Sequence, residues 1–218
     1  MNFSNDIQLN FGLDTKVDAI NSVLNAIGSV GINSPEEIDW NIDAADADRI
    51  IDNMSQSIQT NQGKGWWFNR EEFHKFQPDP VNGYVTVPNN TLACYIKRQN
   101  GKVIPVTLRG HRLFDAKNLG YDMRNMTDRD GSLHCVLVVN LPFEAIPATA
   151  KHAVTNVSRF WMVNDKEGDT LKMQACKQAA DTSMTGLISE DASQKRRNMM
   201  DNKFAQYQIN RIGGYNNN

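Results

Sequence analysis

The spacing of apolar residues changes period twice along this chain, and those two changes restrict its fold more than any other feature. Up to Gly65 the apolar residues recur at helical steps of three and four. Between Trp66 and Asn140 they alternate or cluster at strand length, and from Pro147 the helical steps return. Val17, Ile20, Leu24 and Ile27 mark a first helix. Asp14 and Thr15 offer N-caps, Thr15-x-x-Asp18 has the form of a capping box, and Gly28 suits the position after the last turn. Ser34-Pro35-Glu36-Glu37 is a second start signal and predicts a short turn. From Asp43, the face Ala47, Ile50, Ile51, Met54 and Ile58 opposes Asp46, Asn53 and Gln56. This predicts an amphipathic helix of about four turns, stopped by Gly63-Lys64-Gly65.

In the middle third, Phe73 to Phe76 alternates and Tyr84 to Val87 is a β-rich run closed by Pro88. Leu92 to Arg98 and Val103 to Arg109 flank Asn100-Gly101, a pair that supplies the positive φ of a type I′ hairpin turn. Leu113 to Asp115 and Leu133 to Val139 read as further strands, with a polar loop from Asn118 to Ser132. Beyond Pro147, placed at N1, the residues Ala150, Ala153, Val154, Val157, Phe160 and Trp161 form a core-facing helical stripe. A long polar helix follows, with only Leu171, Ala175, Ala179, Met184, Ile188 and Met200 as apolar points and Gly186 interrupting them. Unbroken from Asp169 to Tyr207 it would span roughly 60 Å at ~1.5 Å per residue. Neither helical end has enough apolar surface to stand alone, so the two must pack together. The expected fold is α+β: a helical domain from residues 1–65 and 141–218, with residues 66–140 as an inserted small antiparallel β domain.

The sequence offers little catalytic chemistry. No Walker loop, nucleophile elbow, dinucleotide fingerprint or H-E-x-x-H occurs. His74, His111, His134 and His152 are dispersed, and His134 and Cys135 point to opposite faces of a strand. Cys94, Cys135 and Cys176 form no C-x-x-C pair and read as reduced core thiols. No catalytic, cofactor or metal residue is therefore expected. Trp66-Trp67-Phe68 beside Glu71-Glu72 could form a sugar-stacking platform with an acid and a base. The plainer expectation places Trp66, Trp67 and Phe68 in the core between helices and sheet. Lys195-Arg196-Arg197 reads as a solvated helix face or a contact for an acidic partner. Gly213-Gly214 cannot hold a helix, which leaves Tyr215 as the tail's one large side chain and a candidate anchor in a partner's pocket. A formal charge of −2 argues against a dedicated nucleic-acid binder. No run approaches 18 apolar residues, and Met1 to Asp6 lacks the features of a signal peptide, so neither membrane nor export is expected.

Ala19-Ile20-Asn21-Ser22-Val23-Leu24-Asn25-Ala26-Ile27-Gly28 resembles the opening helix of the tail tubular protein A family, the head-to-tail adaptors of short-tailed bacteriophages. The likeness continues through Asp43 to Ile51, Ser57-Ile58-Gln59 and Gly65-Trp66-Trp67-Phe68-Asn69. It is weaker at Arg112 to Asp115, Val138 to Phe143 and Phe160-Trp161, and distinctive again at Gly213-Gly214-Tyr215-Asn216. Family members are more acidic in the last long helix, where this chain has Lys195-Arg196-Arg197. The resemblance implies a virion protein assembled in the host cytoplasm: a homo-oligomeric ring of about twelve subunits in closed symmetry. That ring would join the portal protein to the tail nozzle protein, with the C-terminal helix along the portal or a neighbour, and genomic DNA would pass through its channel during ejection. The alternative function is a tail-associated polysaccharide-degrading hydrolase using Glu71 and Glu72 near Trp66.

Overall fold

The computed structural model describes residues 15–97 and 103–200, with side chains to Arg196 in the last helix. The fold is α+β. Four helices, α1 (Lys16–Ala26), α2 (Ile42–Thr60), α3 (Ala148–Lys166) and α4 (Thr170–Met200), accompany six strands. These are β1 (Arg70–Phe76), β2 (Thr91–Lys97), β3 (Val103–Ile104), β4 (Thr107–Arg109), β5 (Arg112–Phe114) and β6 (Leu133–Val139).

Local chemistry sets the helix limits. Thr15 Oγ1 accepts from the Asp18 amide at 3.2 Å while Asp18 Oδ2 accepts from the Thr15 amide at 3.1 Å, the reciprocal capping box that the sequence suggests. After Ala26 the Gly28 amide donates to Asn25 O and the Ser29 amide to Leu24 O. This is a Schellman closure, and it requires the positive φ of 73° at Gly28. Helix α2 starts one residue before Asp43, because Asn41 is the cap: its Oδ1 accepts from the Asp43 and Ala44 amides. Its 19 residues exceed the expected four turns. Pro35–Trp40 is a 3-10 turn in which the Ser34 side chain caps nothing. Pro147 is the N-cap of α3 rather than N1, its carbonyl accepting from Lys151.

The helices bury a main apolar cluster that includes Ile20, Leu24, Ile51, Trp66, Val154, Met162 and Leu187, and a smaller one of Ala26, Val163 and Cys176. Residues from both ends of the sequence meet in the main cluster, as the want of apolar surface at each end requires. Trp161 is an exception to the α3 stripe: it lies nearly half exposed, edge-on to Phe160, because Met162 and Val163 occupy the buried side. In α4 the phase differs from expectation. Leu171 and Ile188 are exposed, while Cys176, Ala180 and Leu187 are buried and Met173 and Met184 pack beside them. Small residues at this seam let α4 approach α3 closely, and the helix runs unbroken through Gly186.

Strands β1, β6, β2 and β3 form an antiparallel sheet in that order. The expected strand from Val103 to Arg109 is split at Pro105, and β4 leaves the sheet to pair with β5 in a separate ribbon. Asn100-Gly101 lies outside the described residues. Tyr84 to Val87 is not a strand; Val85 and Val87 bury their side chains beneath β5 through two backbone hydrogen bonds, with prolines on either side. Exposure alternates along β1 through Phe73 to Phe76 as expected, while a bulge between Glu71 and His74 sets two residues of β1 against one of β6. Phe73 sits there with φ of 72° and its ring exposed. One face of the sheet carries a second apolar cluster built on Ile96, Leu113, Met123, Leu133, Cys135 and Leu137.

Gly186 is exposed and a Cβ there meets nothing within 4 Å. Gly186→Ala should therefore stabilise the chain by about 0.5–1 kcal/mol through helix propensity alone. A melting midpoint one to several degrees higher is expected; a lower midpoint would show that α4 does not continue through this position.

Candidate functional site

The segment Gly65 to Asn69 is the joint between helices and sheet. Gly65 turns the chain with φ of 64°, and a Cβ there would lie 3.0 Å from both methyls of Val138, so the close approach to β6 excludes a larger residue. Trp66 follows at 3% exposure, and its Nε1 donates to the Ile58 carbonyl at 2.6 Å. Asn69 is fully buried. Its Oδ1 accepts from the Trp66 amide at 2.8 Å, and its Nδ2 donates to Gln59 O at 2.9 Å and Val139 O at 3.0 Å. Gln59, equally buried, donates from Nε2 to Leu141 O and to Ser55 Oγ, and its Oε1 accepts from the Leu141 amide. Two side-chain amides thus hold the end of α2 to the end of β6, with their polar atoms satisfied. Trp67 and Phe68 are half-buried, edge to face at 5.0 Å, and pack on the helical cluster. The Trp67 amide donates to Asp191 Oδ1 at 3.1 Å, which ties α4 to the same joint. Of this site, the sequence singled out the aromatics; Gln59, Asn69 and Asp191 were missed as structural groups.

The hydrolase alternative finds no support in this geometry. Trp66 presents no stacking face. Glu71 is paired with His74 at 2.6 Å, and Glu72 is held between Arg70 at 3.0 Å and Lys97 at 2.8 Å. The hydrogen bond from Lys97 outweighs partial burial and holds Glu72 below the usual carboxylate range, the reverse of what a general acid needs. His134 meets Asp128 at 2.9 Å on one face of β6, while Cys135 is buried on the other. The three cysteines are free and buried, and contact with Cys135 followed by burial pushes the Cys94 thiol up. Among the described residues no three His, Cys, Asp or Glu side chains are grouped to hold a metal ion.

The basic triplet is divided. Lys195 pairs with Asp191 at 2.6 Å one turn back, Arg196 is exposed, and the Arg197 side chain lies outside the described residues. Gly213, Gly214 and Tyr215 lie outside them as well. No described helix is long and apolar enough to cross a membrane.

A satisfied polar joint, a helix of 31 residues and broad exposed surfaces are the features of a structural subunit. The family model for tail tubular proteins matches residues 17–209, and the chain belongs to that family, structural components of the bacteriophage tail. No curated protein matches it.

Trp66→Ala should destabilise the fold by about 3–5 kcal/mol. Trp67→Ala should cost about 1–2 kcal/mol, given its half-exposed ring. Chemical denaturation of both variants checks this, and equal losses would contradict the assignment of Trp66 alone to the core. The lowered pKa of Glu72 gives a signed expectation: its stabilisation is complete above the ordinary glutamate value of 4.5 and is lost as the pH falls below it. Glu72→Gln should cost about 1 kcal/mol or less at pH 7 and flatten the acid limb of the melting-midpoint profile; an unchanged limb would show the ion pairs contribute nothing.

Proposed function

We propose that this chain is a subunit of a head-to-tail adaptor ring, placed between the portal and the tail nozzle and forming part of the conduit for genome ejection. Helix α4 carries the reading. At ~1.5 Å per residue its 31 residues extend about 46 Å, yet among its described side chains Leu187 is the last fully buried one, and Ala192 to Arg196 include none that is buried. A helix longer than its own domain needs a partner along the surplus. Leu171 and Ile188, both exposed, add apolar surface for it. Membership of the tail tubular family supplies the setting. A near-neutral charge of −2 suits a channel wall, because many phosphate contacts would retard DNA in transit. A ring of about twelve copies in closed symmetry fits a channel on the tail axis. Assembly in the host cytoplasm agrees with three reduced, buried thiols.

Mixing purified chain with portal and following it by light scattering and negative-stain imaging tests the proposal. Rings seated on the portal are expected. A chain that stays monomeric with portal at saturation would overturn it.

A further inference from the structure

Three large apolar side chains stand in solvent around the start of α2. Trp40 is 89% exposed, Val30 81% and Ile42 80%. They stand on adjoining segments, which Asn41 Nδ2 joins by donating to the Val30 carbonyl at 3.5 Å and Ser29 Oγ by donating to Asp43 Oδ2 at 2.9 Å. Single exposed apolar residues are ordinary, whereas a contiguous group marks a contact surface. Glu36, Glu37 and Asp39 lie on the 3-10 turn that ends in Trp40, and none of the three takes part in a described ion pair. The group is an apolar knob with an acidic collar.

The opposite end of α2 borders a cleft of about 510 Å³ between the joint and the sheet. Pro105 and Val106 give it an apolar wall, and Lys64, Arg70 and Lys97 line it with cations. Glu72 is their carboxylate partner, bound to Arg70 and Lys97, so three cations face one acid and Lys64 makes no described ion pair. The Arg70 guanidinium lies 5.6 Å from the centre of the Tyr95 ring, and its buried Nε has no hydrogen-bond partner. Such a site suits a planar aromatic group with carboxylates around it. An indole is the aromatic ring that cations favour most, and the collar would meet the rim charges.

Within one chain the two surfaces cannot meet. The 19 residues of α2 hold them about 28 Å apart at ~1.5 Å per residue. We infer that the Trp40 knob of one subunit docks into the Lys64–Arg70–Lys97 cleft of the next copy of this chain. Each copy then gives one surface and receives the other, and a head-to-tail contact of this kind generates a ring where its rotation closes. The inference rests on the adaptor reading and specifies the contact between its subunits.

Sedimentation velocity of the full-length chain, alone over a concentration series and with portal, tests the contact in wild type, Trp40→Ala and the double variant Lys64→Glu/Lys97→Glu. Cooperative melting transitions establish that the variants fold; the double variant should melt somewhat lower, because Lys97→Glu removes the pair with Glu72 and the contact with the Phe73 ring and sets a second carboxylate beside Glu72. Each variant alone should associate at least tenfold more weakly than wild type. Their equimolar mixture should stop at heterodimers, since one retains a working cleft and the other a working knob. Variants that assemble as wild type does would overturn the contact and leave the adaptor ring standing. A wild-type chain that stays monomeric with portal saturating would overturn both. A benzophenone side chain placed at position 40 separates the other occupants: cross-links to residues 62–64 or 93–97 of a second copy support the contact. Cross-links only to residues 1–14 of the same chain, or only to portal, would overturn it.

Discussion

Two buried amides, Gln59 and Asn69, hold this structure together. Each would be costly to bury unpaired, by about 1–3 kcal/mol for every orphaned polar group. Here each finds partners across the joint: Gln59, on α2, bonds both the amide and the carbonyl of Leu141, and Asn69 bridges Gln59 O to Val139 O. Leu141 packs against both apolar clusters. The helical cluster and the sheet cluster therefore share a polar seam as well as an apolar contact, and neither can shift without breaking these hydrogen bonds, of which those made by the Asn69 side chain are buried.

The surfaces that matter for assembly depend on that seam. Helix α2 acts as a strut with the Trp40 knob ahead of it and the cationic cleft beside its far end. The cleft includes side chains of β1 and β2, so its angle to the strut is set by the joint. The contact from Trp67 to Asp191 fixes α4 to the same point. At the other end of the helices, Lys166 at the end of α3 reaches Asp43 and Asp46 on α2, and Lys16 reaches Asp48 and Asp52. These pairs are exposed or half-buried and of small individual value, and they staple α1 and α3 to the same strut. A ring needs each subunit to present its two contact surfaces at one repeated angle, and a rigid strut with a locked joint provides that.

Much of the fold was legible in the sequence, for reasons that are local. Thr15-x-x-Asp18 and Gly28 carry their own backbone chemistry, so α1 could be bounded without knowing what it packs on. The change of period at Gly65 is a direct record of the change from helix to sheet. What was not legible depends on the partner surface. Leu171 and Ile188 look like the buried stripe of α4 by hydrophobicity, yet the seam with α3 is filled by Met173, Cys176, Ala180 and Leu187, because close packing of two helices favours small and adaptable side chains. Pro105 was the signal that a strand from Val103 to Arg109 could not remain in one sheet. At the joint, Trp66 stood out as a large aromatic, while Gln59 and Asn69 resemble surface residues until both sides of the seam are in place. Trp40 is not legible by residue type, since a tryptophan is ordinarily core; the acids at Glu36, Glu37 and Asp39 just before it are the sequence signal that it faces water.

Hydrogen exchange under native conditions tests the locked joint most directly, at the amides of Val139 and Leu141. The first donates to Asn69 O and the second to Gln59 Oε1. If the two amides seal the joint, both protons exchange only through global unfolding, with the same free energy as Leu24 in the helical cluster and Val136 in the sheet. Exchange at Val139 and Leu141 through a local opening several kcal/mol easier than at Leu24 and Val136 would show that helices and sheet move independently, and would contradict the account.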